Sequence, residues 1–178
     1  MAGKPRVATA WLDGCSGCHM SLLDMDERII EIAGKVEIVT SPLMDVKEFP
    51  EGVDLALVEG AVSSEEDLAK IRKIRQRTKL LVALGDCAVT GNVPAMRNVV
   101  PVEALFAQAY EHEGNLHPQT PTQEVPKLLK QAAPMHAYVK VDLFLPGCPP
   151  PAEAILELLT AVLEGREPQT HKLTRFGR

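Results

Sequence analysis

The amino-acid sequence predicts an α/β fold, a doubly wound parallel sheet in three layers. Three observations point there. Short apolar segments alternate along the chain with amphipathic ones long enough for helices. Segments such as DLALV at 54–58 and KLLVAL at 79–84 lack the polar alternation of a strand with one wet face, as strands covered on both sides would. The apolar segments also run into glycine-bearing turns, GCSG, EGA, GDC and PGC, where the chain reverses toward the next element.

Residues 6–12 (RVATAWL) read as the first strand. A helix over 20–33 follows the first turn, with Leu22, Leu23, Ile29, Ile30 and Ala33 as its apolar positions and Gly34 just past its end. Residues 36–40 (VEIVT) form a short strand and 54–58 a buried one. Ser63-Ser-Glu-Glu66 has capping-box form, in which a hydroxyl accepts from a free helix N–H and a carboxylate reaches back to another. The helix it opens runs to residue 78, and strand 79–84 follows. Residues 102–110 read as a short helix, 111–126 as a long surface loop and 127–133 as helical. A last strand over 139–145 ends in Pro146-Gly147-Cys148. Three prolines, suited to a helix's first turn, lead into an amphipathic helix over 152–163 that stops at Gly165. From residue 166 the tail reads as irregular. Right-handed crossovers between parallel strands make this a flavodoxin-like arrangement, and 178 residues suit one domain spanning 1–178.

Composition excludes several functions. A net charge of -5, a pI near 5.6 and only 4% aromatic residues leave neither a phosphate-binding surface nor a base-stacking platform, so no nucleic acid is expected. The basic stretch over 70–79 reads as the solvated face of a helix. No apolar run is long enough to span a membrane, and the first residues lack a secretory signal. A cytoplasmic, reducing setting is therefore expected, where cysteines bind metal or react more often than they form structural disulfides.

The four cysteines share one property. Cys15 and Cys18 follow the first strand, Cys87 the strand at 79–84, and Cys148 the last strand. The carboxyl ends of parallel strands lie along one edge of the sheet, where ligands bind. Thiols far apart in the chain are thereby expected to meet. Four thiolates need a compensating positive centre, and soft sulfur donors favour zinc or iron–sulfur. One CxxC with two lone cysteines departs from the paired knuckles of four-cysteine zinc sites. A [4Fe-4S] cluster is the first reading; zinc and a thioredoxin-like dithiol remain alternatives.

The segments GCSGCHMSLLD (14–24), VEGAV (58–62), GDCAVTG (85–91) and PGCPP (146–150) resemble, in order, the small subunit of [NiFe] hydrogenases, in particular the short type of cytoplasmic NAD-reducing (bidirectional) hydrogenases. The resemblance implies a flavodoxin-like domain holding one proximal [4Fe-4S] cluster on Cys15, Cys18, Cys87 and Cys148. It implies that the Ni–Fe site lies in a separate large subunit, and that the next carriers lie in an iron–sulfur and flavin diaphorase module. The chain is shorter than the small subunits that add medial and distal clusters. Coenzyme F420-reducing and sulfur-reducing hydrogenases have related subunits. So does respiratory complex I, whose adjacent cysteines contrast with Cys15-Ser-Gly-Cys18 here. A zinc-stabilised interaction module is the rival from another class.

This chain itself is expected to make and break no substrate bond. Glu59, at a strand end beside the cysteines, reads as a proton relay, an ionised residue facing the partner, or a solvated loop carboxylate. Thr90 reads as a donor to cluster sulfur or an ordinary helix-start hydroxyl. His19 reads as a surface or interface residue, Asp13 and Asp86 as turn residues, and Trp11 and Met20 as core first, with packing against the large subunit as the alternative. His112, His117, His136 and His171 are scattered. Cysteines occupy the loop where an FMN phosphate would bind, so no FMN is expected in this chain.

Overall fold

The computed structural model describes residues 3–46 and 48–174. Its centre is a five-stranded sheet of β1 (Arg6–Trp11), β2 (Glu37–Thr40), β3 (Val53–Glu59), β5 (Thr78–Leu84) and β7 (Leu143–Leu145). The order is β2-β1-β3-β5-β7 and every pairing is parallel. With β4 (Val62–Ser64) outside this sheet, that is the 2-1-3-4-5 order of a doubly wound fold.

Side-chain alternation along the strands builds two cores. Leu55 and Leu57 of β3 face one side with Val7, Val82 and Leu84. They meet Met25, Ile32 of α2 (Arg28–Lys35) and Ile155, Leu158 and Leu159 of α7 (Ala152–Leu163). Ala56 and Val58 face the other side, where Ile71 and Ile74 of α3 (Glu65–Arg77) cover them. Both isoleucines are fully buried, each worth about 1.5–3 kcal/mol of transfer free energy. The opposite face of α3 carries the solvated basic residues.

Several elements differ from the sequence reading. The helix expected over 20–33 is two: α1 (Gly17–Leu23) and α2, separated where Asp26 adopts φ 52. Asp tolerates that left-handed backbone, which redirects the chain. The capping box lies one residue later than expected: Ser64 accepts from the Asp67 N–H at 3.0 Å, and Asp67 accepts from the Ser64 N–H at 3.0 Å. Residues 127–133 are not helical. Leu128–Ala133 forms β6, antiparallel to β4, so strand pairing overrides the helical preference of Leu, Lys and Gln. The last strand is only Leu143–Leu145, preceded by a 3-10 turn at Met135–Ala137. The helix over 102–110 is present as α6 (Val102–Tyr110). Within the tail, Thr170–Lys172 forms a 3-10 turn.

Candidate metal centre

The carboxyl ends of β1, β3, β5 and β7 form one rim. Cys15 precedes α1, and Cys18 lies in its first turn. Cys87 lies in the first turn of α4 (Asp86–Thr90), directly after β5. Cys148 follows β7 by way of Gly147. All four line a single cavity of about 120 Å³. Cys15 and Cys148 are exposed and Cys18 and Cys87 half-buried, so the cavity opens at the surface.

The rim backbone is close-packed. Gly85 has φ 82, and a Cβ there would collide with Cys18 Sγ. Gly60 has φ 90, and its Cβ would meet the Asp13 carbonyl at 2.8 Å. There the turn after β3 crosses under the turn after β1, tied by the Ala61 N–H donating to the Asp13 carbonyl at 2.7 Å. Asp86 does more than shape a turn. Its carboxylate accepts from the Gly147 N–H at 2.7 Å, and its own N–H donates to the Gly147 carbonyl at 2.8 Å. The Cys87 and Cys148 turns are thereby one unit. The Ser21 hydroxyl donates to the Pro150 carbonyl and ties α1 to it.

Glu59 and His19 are both buried, at 3% and 2% exposure, which excludes the solvated-loop reading of Glu59 and corrects the surface reading of His19. The His19 N–H donates to Glu59 Oε2 at 3.2 Å. His19 Nδ1 lies 3.0 Å from Glu59 Oε1, close but off hydrogen-bond alignment. His19 Nε2 meets Thr9 Oγ1 at 3.0 Å, and that hydroxyl donates to Ser41 Oγ at 3.0 Å. The Trp11 ring meets the imidazole in an edge-to-face arrangement, centroids 5.5 Å apart. Met20, by contrast, is 59% exposed and not core. Thr90 donates to the Asp86 carbonyl at 2.8 Å rather than to a sulfur.

Burial, then the Glu59 carboxylate and the neighbouring sulfurs of Cys87 and Cys15, push the Cys18 thiol far above its ordinary range. Burial and the sulfurs of Cys148 and Cys15 also raise Cys87, partly offset by N–H groups of Val93 and Asn92. Burial pushes Glu59 up, but the His19 imidazole and N–H and the Cys18 thiol outweigh it, and its carboxyl lies below the usual range.

Asn92 escaped the sequence reading. It opens α5 (Asn92–Ala95), and its Nδ2 lies 3.5 Å from Cys148 Sγ. The signal was adjacent: Asn92 follows the last residue of GDCAVTG, and Gly-Asn commonly marks a left-handed turn. None of the four scattered histidines lines the cavity. Among the described residues, no three His, Cys, Asp or Glu side chains close on a point where one metal ion would sit.

The family model described as NADH ubiquinone oxidoreductase, 20 Kd subunit, matches residues 15–162. The delta subunit of the NAD-reducing hydrogenase HoxS of Cupriavidus necator is 40% identical over 92% of this chain and 81% of its own length. A subunit of the F420-non-reducing hydrogenase vhu of Methanocaldococcus jannaschii is 38% identical over 92% of this chain, which spans only 58% of it. A chain in the crystal structure of an NAD+-reducing [NiFe]-hydrogenase in the H2-reduced state superposes with a TM-score of 0.93 at 44% identity, covering 98% of this chain and 99% of that one. A [NiFeSe] hydrogenase from Desulfovibrio vulgaris Hildenborough shares the fold, with a TM-score of 0.62 at 18% identity.

Proposed function

This chain belongs to the family of the NADH ubiquinone oxidoreductase 20 Kd subunit, and from that membership we propose that it is the electron-transfer small subunit of an NAD-reducing [NiFe] hydrogenase. One observation carries the site assignment: thiols from three separate strand ends line one cavity. The cavity fits a [4Fe-4S] cluster by the chemistry of its donors. Four soft sulfurs surround it, glycine backbone leaves the space a Cβ would fill, and N–H donors approach the sulfurs.

Cys15, Cys18, Cys87 and Cys148 would hold the cluster. When bound, such a cluster supplies one-electron transfer. The protein's share is positioning: Gly85 makes room for the Cys18 sulfur, and Asp86 locks the Cys87 and Cys148 turns together. Glu59 would hold or hand on a proton at its carboxylate. The partners in this reading are a large subunit carrying the Ni–Fe site and iron–sulfur and flavin subunits that reduce NAD, all in the cytoplasm. No helix among the described residues is long and apolar enough to cross a membrane. A small subunit of an F420-linked or sulfur-reducing hydrogenase is the second reading. Identity supports the first, at 40% to the HoxS delta subunit against 34% to a coenzyme F420 hydrogenase gamma subunit and 32% to a sulfhydrogenase 2 delta subunit.

Anaerobically purified protein is expected to contain about four iron and four sulfide per chain. Zinc in their place would overturn the assignment. Cys87→Ala is expected to abolish H2-dependent NAD reduction by the assembled complex, and unchanged reduction would refute the relay role. Copurification of a large subunit with paired CxxC motifs and of a flavin-containing chain checks the partners.

A further inference from the structure

We propose that Asn92 is a positioning residue of this centre: its carboxamide hydrogen-bonds the Cys148 sulfur and raises the reduction potential of the cluster that Cys148 would help to carry. This rests on the cluster reading above.

Asn92 and Cys148 come from turns after different strands, 56 positions apart. Asn92 Nδ2 lies 3.5 Å from Cys148 Sγ, within N–H···S range. The amide nitrogen, not the oxygen, must face the sulfur, because a carbonyl oxygen beside a thiolate is an unpaired acceptor.

The backbone holds the amide in place. Gly91, φ 89, ends α4 with its N–H on the Cys87 carbonyl at 3.0 Å. Asn92 itself has φ 32, and the Ala95 N–H donates to the Gly91 carbonyl at 3.1 Å, closing the first turn of α5. Asn is among the few residues that accept positive φ while carrying amide donors. The kink between the two short helices thus returns the side chain to the cavity mouth.

The physical effect follows from charge. One-electron reduction adds a negative charge to a centre already ligated by thiolates, with no bond made or broken in this chain. Hydrogen bonds to the sulfurs favour the more negative state and raise the potential.

The test is an EPR-monitored redox titration of the assembled complex with a chemical reductant, following the signal that Cys87→Ala lacks. Asn92→Gly keeps the backbone conformation and removes the donor. Asn92→Asp keeps shape and backbone tolerance, but puts acceptor oxygens beside the sulfur. Both variants are expected to hold wild-type iron and sulfide. Their midpoints are expected to shift toward the oxidised form by roughly threefold to tenfold, or about 28 to 59 mV at 59 mV per tenfold, with Asn92→Asp the lower. Wild-type midpoints in both variants would overturn the proposal. Should Asn92→Gly lose iron, Asn92→Asp decides: a midpoint at or above wild type overturns it. Wild-type protein without iron and sulfide would instead defeat the cluster reading itself.

Discussion

Gly85 is the residue at which the rim tolerates least. With φ 82 and a notional Cβ that would collide with Cys18 Sγ, any side chain must displace either the sulfur or the turn. Gly85→Ala is expected to weaken iron retention by about 10–100-fold, the usual cost of disturbing the groups behind a metal ligand. Gly34 is the control. A Cβ there meets nothing within 4 Å, so Gly34→Ala in α2 should stabilise the chain by about 0.4–1 kcal/mol by restricting its unfolded state. Iron analysis and urea unfolding read the two outcomes, and full iron retention in Gly85→Ala would remove the steric argument. The same scale shows which site residues a sequence can reveal. The four cysteines were readable because each follows a strand, a local signal. The burial of His19 was not, because it depends on Glu59, 40 positions away. Asn92 was hidden for a similar reason, since its partner Cys148 lies 56 positions away.

Among the elements, β7 is the weakest member of the sheet by length, with three residues. The chain compensates just before it. Asp142 accepts from the Leu81 N–H at 2.8 Å and donates its own N–H to the Leu81 carbonyl at 2.9 Å. Its carboxylate also meets the Arg75 guanidinium, which donates in turn to the Lys79 carbonyl at 3.0 Å. One aspartate thereby fastens β7 to β5 and to the last turn of α3, and so fixes where Cys148 emerges. Burial raises its carboxyl, but the Leu81 N–H and Arg75 outweigh it and hold it below its ordinary 3.8. A depressed folded value contributes stability above the unfolded value and loses it as the pH falls below 3.8 through the folded one. Asp142→Asn is expected to cost about 1.5–3 kcal/mol near neutral pH, as charge-assisted bonds do. The gap should close in acid. Urea unfolding of both proteins across that range tests it, and a pH-independent difference would assign the loss to packing. Two helices were readable from sequence: α3 by its capping box, and α7 by the prolines before it and its apolar face. β6 was not: its residues favour a helix, and only β4, a distant partner, makes them a strand.

For the whole molecule, the doubly wound parallel class was readable because it follows from alternation and right-handed crossovers, which need no knowledge of any single contact. The course of residues 91–137, apart from α6, was not, because it leaves that scheme to form α5 and the β6 strand of a separate two-stranded sheet. This division between scheme and rim has a consequence for stability. The two cores on either side of β1, β3 and β5 consist of aliphatic residues, with Cys18 alone among the ligands packed at their margin. Folding of the sheet is therefore expected not to require the metal, whereas the turns around the cysteines meet at a cavity where burial pushes the Cys18 and Cys87 thiols up and where iron would supply a charge-balancing centre. Iron removal by an anaerobic chelator is expected to speed amide hydrogen exchange roughly tenfold or more at 14–20, 85–92 and 146–150, the price of losing a ligand that binds only the folded rim. Amides of β1, β3 and β5 should keep their protection. Uniform loss across the sheet would make the metal a folding determinant, and no change at the three turns would mean that the iron is held elsewhere.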